Sequence, residues 1–226
     1  MPTLELDDLS LYYQERRQGN EPLLALHPST VSGTLFQWAL PKNGGFWVLL
    51  PDQRGHGETP NPAPDFHMPR LVNDMFNMLD ALDIARVHGV GYSLGAAVLL
   101  NMASRDPERF ESLILIATTH RPPTQDQLAR IAGPAEHREG LVKKLMDDET
   151  GMMNGWDVSP PAIKQFDFPV SLIGGDRDPI GKLSDLVQLR EWLPRGELLV
   201  VPSCGHFGFH SNPYVQQYLQ SRYEEI

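Results

Sequence analysis

Compact apolar runs recur along the chain, separated by stretches whose apolar positions fall three and four apart. Pro22–Leu26, Phe46–Leu50, Val87–Tyr92, Leu113–Ala117, Val170–Ile173 and Glu197–Val201 are short and nearly continuous in apolar character. Runs of this kind suit parallel strands covered on both faces. Thr3–Leu6 and Leu9–Gln14 predict two more short strands, joined by the acidic turn Asp7–Asp8. Between the runs, Met68, Leu71, Val72, Met75, Met78, Leu79 and Leu82 keep helical spacing, which predicts a helix over Pro69–Leu82 with the proline in its first turn. Ser93–Ser104, Asp185–Leu193 and Pro213–Tyr223 also read as helices. Strands alternating with helices predict an α/β fold with a mostly parallel sheet of about eight strands, flanked by helices and joined by right-handed crossovers.

One stretch breaks the alternation. Thr118–Phe168 spans 51 residues without a convincing strand, opening on Pro122-Pro123 and closing on Ser159-Pro160-Pro161. Gln125–Ile131 and Glu136–Met146 inside it have helical patterns. A structureless loop of that length is uncommon inside a domain, so residues 118–168 are expected to form a short helical cap inserted between two strands. The 226 residues then make one domain, 1–226, that carries this cap.

Composition narrows the partners. Nineteen basic against 29 acidic residues give a net charge of −10. Such a surface repels polyphosphates and anionic lipid, which argues against nucleic-acid or membrane-surface binding. The one cysteine, Cys204, rules out an intrachain disulfide framework and argues against a cysteine-based zinc site. No carboxylate or histidine spacing suggests a metal. No apolar run is long enough to cross a membrane, and Met1–Asp8 has no signal pattern, so the expectation is a soluble cytoplasmic protein.

The strongest chemical signal is Gly91-Tyr92-Ser93-Leu94-Gly95, which follows the run VHGV and opens the helix AAVLLNMA. A serine between two glycines at a strand-to-helix turn is the setting of a nucleophile elbow. The tight turn lifts the hydroxyl above the sheet edge, and the amides of the helix start favour a developing oxyanion. A serine nucleophile needs a base, and the base needs an orienting acid. Two late strands supply them. The run VSLIGG is followed by Asp176-Arg177-Asp178-Pro179, and ELLVVPSCG runs into His206-Phe207. Both loops fall at strand C-terminal ends, where open α/β sheets place their sites. From the residues alone, Asp176 and Asp178 compete for the acid.

With these motifs the chain resembles the α/β-hydrolase superfamily, and within it the small serine esterases and lactonases. Three further segments carry the likeness. Asp52-Gln53-Arg54-Gly55-His56-Gly57 is similar to the family's D-x-R-G-x-G loop, Asp106-Pro107-Glu108-Arg109-Phe110 to its D/H-P-E-R-V segment, and Gly205-His206-Phe207 to its histidine loop. Gly175-Asp176-Arg177-Asp178-Pro179 resembles the family's G-x-x-D-P loop, which selects Asp178 as the acid. The resemblance implies a triad of Ser93, Asp178 and His206 acting without a cofactor. It also implies an oxyanion hole made by the amides of Leu94 and of Ser29.

One segment departs from the pattern. Where the family has His-Gly, this chain has His27-Pro28-Ser29-Thr30, and proline has no N–H to give. His27 is expected to be a buried structural histidine under that loop, and His56 a structural residue of its own turn. Trp38, Met152, Met153, Trp156 and Phe207 are candidates for lining the substrate pocket, with packing the competing use of Trp38, Met152, Met153 and Trp156. The expected function is hydrolysis of a small carboxylic ester or lactone through an acyl-enzyme on Ser93. A thioesterase or a C–C bond hydrolase would use the same triad. A slow-turnover receptor or a lyase on this fold are further alternatives.

Overall fold

The apolar runs become central strands because each has two faces to bury. The computed structural model describes residues 2–63, 65–131, 151, 154–156 and 158–226. Among them one sheet holds eight strands: β1 (Thr3–Glu5), β2 (Ser10–Arg17), β3 (Gly19–Leu26), β4 (Gly45–Pro51), β5 (Val87–Tyr92), β6 (Phe110–Ile116), β7 (Val170–Gly175) and β8 (Gly196–Val201). Their order is β1-β2-β4-β3-β5-β6-β7-β8. β1 and β2 pair antiparallel, as do β2 and β4, and every pairing from β4 through β3 to β8 is parallel.

Side chains alternate across the sheet. Leu24, Leu26, Leu49, Leu113, Leu115, Val170 and Leu172 face one core, where α1 (Met68–Ala81), α2 (Leu94–Arg105) and α5 (Leu183–Trp192) pack. Their neighbours Leu23, Ala25, Val48, Leu50, Ile114, Ile116 and Ile173 face the other. There Phe36 and Ala39 of a 3-10 helix (Gly33–Ala39) and Val215, Leu219 and Tyr223 of α6 (Pro213–Glu225) complete the layer. The strand period of two thus serves both helix layers. The eight strands stand where the sequence predicts them, with two adjustments. β8 was expected to be covered on both faces, but it is the last strand of the sheet and is half-exposed along its length. The 3-10 helix was not anticipated, because its seven residues are too few for a period to show.

Within the expected insertion, α3 (Gln125–Ile131) forms with the predicted bounds. Thr124 and Gln127 bond to each other's backbone N–H, at 3.3 and 2.9 Å, as a capping box at its start. A single turn, α4 (Pro160–Ile163), leads back toward β7, and Leu128, Ile163, Phe166 and Phe168 join the same buried core as α1 and α2. The helix expected over Glu136–Met146, like Met152 and Met153, lies outside the described residues.

A buried charge cluster ties the N-terminal hairpin to the loop after β4. Arg54 is 1% exposed. It donates to both carboxylate oxygens of Asp74 on α1, at 2.8 and 2.7 Å, and to Asp8 at 2.8 Å. Arg70 closes the ring with bonds to Asp8 (2.9 Å) and Asp65 (2.5 Å). Replacing Arg54 by methionine leaves Asp74 buried without a countercharge, a change expected to cost about 3–5 kcal/mol. Asp8→Asn acts on a side chain 47% exposed and is expected to cost about 1 kcal/mol or less. Urea unfolding of the two variants checks the ranking, and equal losses would remove the special weight given to the Arg54–Asp74 contact.

Candidate active site

The chain leaves β5 at Ser93 with φ 52° and ψ −111°, and α2 begins at the next residue. A non-glycine residue seldom adopts a positive φ, and the cost is of order 1–3 kcal/mol. The glycines on either side make the turn possible by close approach. A Cβ on Gly91 would lie 2.6 Å from the backbone of Gly95 and Ala96, and one on Gly95 would lie 2.1 Å from the carbonyl oxygen of Leu26. The end of β3 is thereby pressed against the first turn of α2. The Ser93 N–H donates to the Ile116 carbonyl at 2.8 Å, which fixes the turn to β6.

From that position the Ser93 hydroxyl donates to Nε2 of His206 at 2.9 Å. Nδ1 of His206 donates to the Asp178 carboxylate, 2.9 Å from Oδ2 and 3.1 Å from Oδ1. The Asp178 oxygen Oδ1 also accepts the N–H of Ile180 at 2.7 Å and of Gly181 at 3.1 Å. Asp178 and His206 are 5% and 3% exposed, so the pair is shut off from solvent while Ser93 remains partly open. The residues follow β5, β7 and β8 and meet at the C-terminal edge of the sheet. Asp176 does not join them. It is exposed and accepts the Cys204 N–H at 3.2 Å, bracing the loop that carries His206.

Several further groups support the site. The Tyr92 hydroxyl donates to the His206 carbonyl, and burial first, then the Asp178 charge, pushes the phenol's pKa up so that it stays a donor. The Cys204 thiol is likewise pushed up by burial, in keeping with an inert buried cysteine. Asp52 accepts the N–H of Gly33 at 2.7 Å and of Glu58 at 2.9 Å, joining the loops after β3 and β4. In the sequence Tyr92 is only an unconstrained position of the elbow motif. The loop motif did bring out Asp52, but not its partners.

The remaining candidates separate. Leu94 is the first residue of α2, and its N–H has no acceptor among the described residues. Phe207 is 64% exposed, with its ring 5.3 Å from that of His206, so it stands at the edge of the site. Trp38 packs edge-on against Phe36, Tyr92 and His210, with ring centroids 5.7, 6.0 and 6.4 Å away. Trp156 is partly buried against the larger core, and its indole N–H donates to the His120 carbonyl at 3.2 Å. His56 bonds the Arg54 carbonyl at 3.0 Å, as a structural residue of its turn does. Among the described residues no cluster of three or more histidine, cysteine or acidic side chains is placed to hold a metal ion. Nor is any helix among them long and apolar enough to cross a membrane.

A serine elbow on such a sheet, with acid and histidine on the loops after β7 and β8, defines the α/β-hydrolase class. A family model described as alpha/beta hydrolase fold matches residues 34–145, and the chain belongs to that superfamily and is an enzyme of it. It is 27% identical over 214 residues to a putative non-heme bromoperoxidase of Mycobacterium tuberculosis, covering 75% of this chain and 79% of that one. It is 25% identical over 219 residues to 3-oxoadipate enol-lactonase 2 of Acinetobacter baylyi, covering 81% of each. The meta-cleavage product hydrolase of Pseudomonas fluorescens superposes with a TM-score of 0.75 at 18% identity over 96% of each chain. That last likeness is one of fold.

His27 gives the site a pH signature. Burial, opposed in part by its bond to the Pro28 carbonyl, holds the ring at about 4, below its ordinary 6.5. Between those values the unfolded chain takes up a proton that the native chain does not, so stability falls as pH drops through that window and this contribution is flat below it. The wild type is expected to lose about 3 kcal/mol more than His27→Asn between pH 7 and 4. Urea midpoints at the two pH values measure the difference, and parallel losses would count against a neutral buried ring.

Proposed function

We propose that this hydrolase cleaves a small carboxylic ester or lactone through an acyl-enzyme on Ser93. The observation that carries the reading is the unbroken hydrogen-bond chain from the Ser93 hydroxyl through His206 to the buried Asp178 carboxylate. In the first step Ser93 Oγ attacks the carbonyl carbon and its proton passes to Nε2 of His206. Asp178 holds the imidazole tautomer and stabilises the imidazolium that forms. The oxyanion is received by the amides of Leu94 and Ser29. His206 then returns the proton to the leaving alkoxide as the carbon–oxygen bond breaks. A water molecule, deprotonated by His206, attacks the acyl-enzyme and releases the acid and free Ser93. Every group in this sequence belongs to the chain, the substrate or water. The similarity to an enol-lactonase along 81% of the chain supports an ester or lactone in preference to a thioester. Residues 118–168 are read as the cover over this site, with Phe207 at its rim.

A panel of p-nitrophenyl esters, lactones and acyl-CoA thioesters tests the reading. Turnover of esters or lactones is expected, with Ser93→Ala losing it by several orders of magnitude together with labelling by a fluorophosphonate. Asp178→Asn is expected to lower kcat by about 10⁴ through the wrong histidine tautomer, while Asp176→Asn stays close to wild type. Turnover confined to thioesters or to carbon–carbon substrates would replace the substrate class, and labelling that survives Ser93→Ala would remove the nucleophile.

A further inference from the structure

The loop after β3 departs from the family pattern at Pro28, and the contacts around it show how an amide donor is still presented. Nε2 of His27 accepts the backbone N–H of Gln53 at 2.9 Å. With that nitrogen occupied as an acceptor, the ring proton sits on Nδ1, which lies 2.7 Å from the Pro28 carbonyl oxygen and donates to it. The Gln53 side-chain amide donates to the His27 carbonyl at 2.6 Å, so Gln53 holds the ring of His27 through its backbone and the main chain of His27 through its side chain. Both residues are buried, at 0% and 1% exposure.

The consequence follows from peptide planarity. No cis peptide bond occurs among the described residues, so the C=O of Pro28 and the N–H of Ser29 point in opposite directions from one plane. His27 draws the carbonyl inward, toward the core. The Ser29 N–H is therefore turned outward, at a half-exposed residue, and it has no hydrogen-bond partner among the described residues. The loop leaves β3 at Leu26, opposite Gly91 of the elbow and in backbone contact with Gly95. Thr30, at φ 70°, then turns the chain back.

We infer that His27, locked in its Nδ1–H tautomer by Gln53, is a positioning residue that aims the Ser29 amide as the second oxyanion donor. The inference rests on the Ser93 reaction proposed above and adds how that reaction's hole is built. His27 touches no substrate atom; it acts through the Pro28–Ser29 peptide. Burial of the ring, which keeps it neutral, acts in the same sense.

The test uses two substitutions that differ in where they place a donor. Asparagine sets its amide near the position of Nδ1, whereas glutamine sets it near Nε2. His27→Gln is expected to lower kcat by about 10²–10³ with KM within a few-fold, the loss typical of one missing oxyanion donor. His27→Asn recovers most of that loss. A trifluoromethyl ketone adduct on Ser93 gives a readout that a purely structural role would not move. Its hemiketal hydroxyl, followed by ¹³C NMR, should ionise at higher pH in His27→Gln than in the wild type, and near the wild-type value in His27→Asn. Gln53→Leu, which releases the His27 carbonyl and leaves the ring in place, is expected to shift the ionisation in the same direction by a smaller amount. Equal activities and unshifted adducts in the glutamine and asparagine variants would overturn the inference. So would an unshifted adduct in Gln53→Leu if His27→Gln does not fold. Failure of the wild type to form any adduct would overturn the Ser93 reaction, and this inference with it, and is told apart by the absence of fluorophosphonate labelling.

Discussion

Ser93 is held at φ 52°, a conformation its side chain disfavours, and much of the architecture serves to keep it there. The strain is local, while the restraint comes from the centre of the sheet. β5 lies between β3 and β6, fully buried along its length. The Ser93 amide is bonded across to β6, and the glycine after the turn touches the last residue of β3. To relax the serine, the chain would have to move one of three paired strands. Strained functional residues persist where the surroundings over-determine them. Here the over-determination comes from the most buried strands of the fold. Ala117, at φ 52° just after β6, is a second positive-φ residue beside the same turn, bonded through its N–H to Ile173 of β7 at 2.8 Å.

The acid loop is restrained by hydrogen bonds, and the histidine loop by hydrogen bonds together with a positive φ of 55° at Ser203. Asp178 takes two backbone amides besides the imidazole, so its carboxylate cannot rotate without losing one of them. His206 is held through its own carbonyl by Tyr92, the residue before Ser93. The elbow thus positions the serine directly and the histidine indirectly. Asp176 completes the arrangement by tying the acid loop to the backbone of the histidine loop. Gln127 of α3 adds a further tie, its amide donating to the Pro179 carbonyl at 2.8 Å, so the start of the insertion is fastened to the loop that carries the acid. Preorganisation of this sort lets donors meet developing charge without rearranging.

The fold was legible because its signal is repeated. Eight short runs, the central ones buried on both faces, leave few arrangements open, and β5 was delimited to the residue because Val87–Tyr92 is bounded by a charged turn and the elbow serine. The elbow that presents Ser93 to His206 was legible for a different reason: strong constraints at Gly91, Ser93 and Gly95 leave a local signature. The residues alone left Asp176 and Asp178 open, and the likeness of their loop to the G-x-x-D-P pattern selected Asp178, the one that is buried and bonded to His206. Tyr92, Gln53 and the Ile180 and Gly181 amides escaped because they act through backbone groups or through partners distant in sequence. The 3-10 helix Gly33–Ala39 escaped because seven residues do not establish a period.

Pro28 brings these points together. As a departure from the expected dipeptide it looked like a loss, since the position gives up an N–H and a free φ. What the structure takes from Pro28 is its carbonyl, which every residue type provides. The amide that matters belongs to the next residue, and its direction is set by the peptide plane and by His27, neither of which depends on the side chain at 28. A proline there also limits the conformations open to the unfolded loop. The sequence departs where the site draws only on backbone shared by all residues, and it holds to the pattern at His27, whose two ring nitrogens perform different tasks at once.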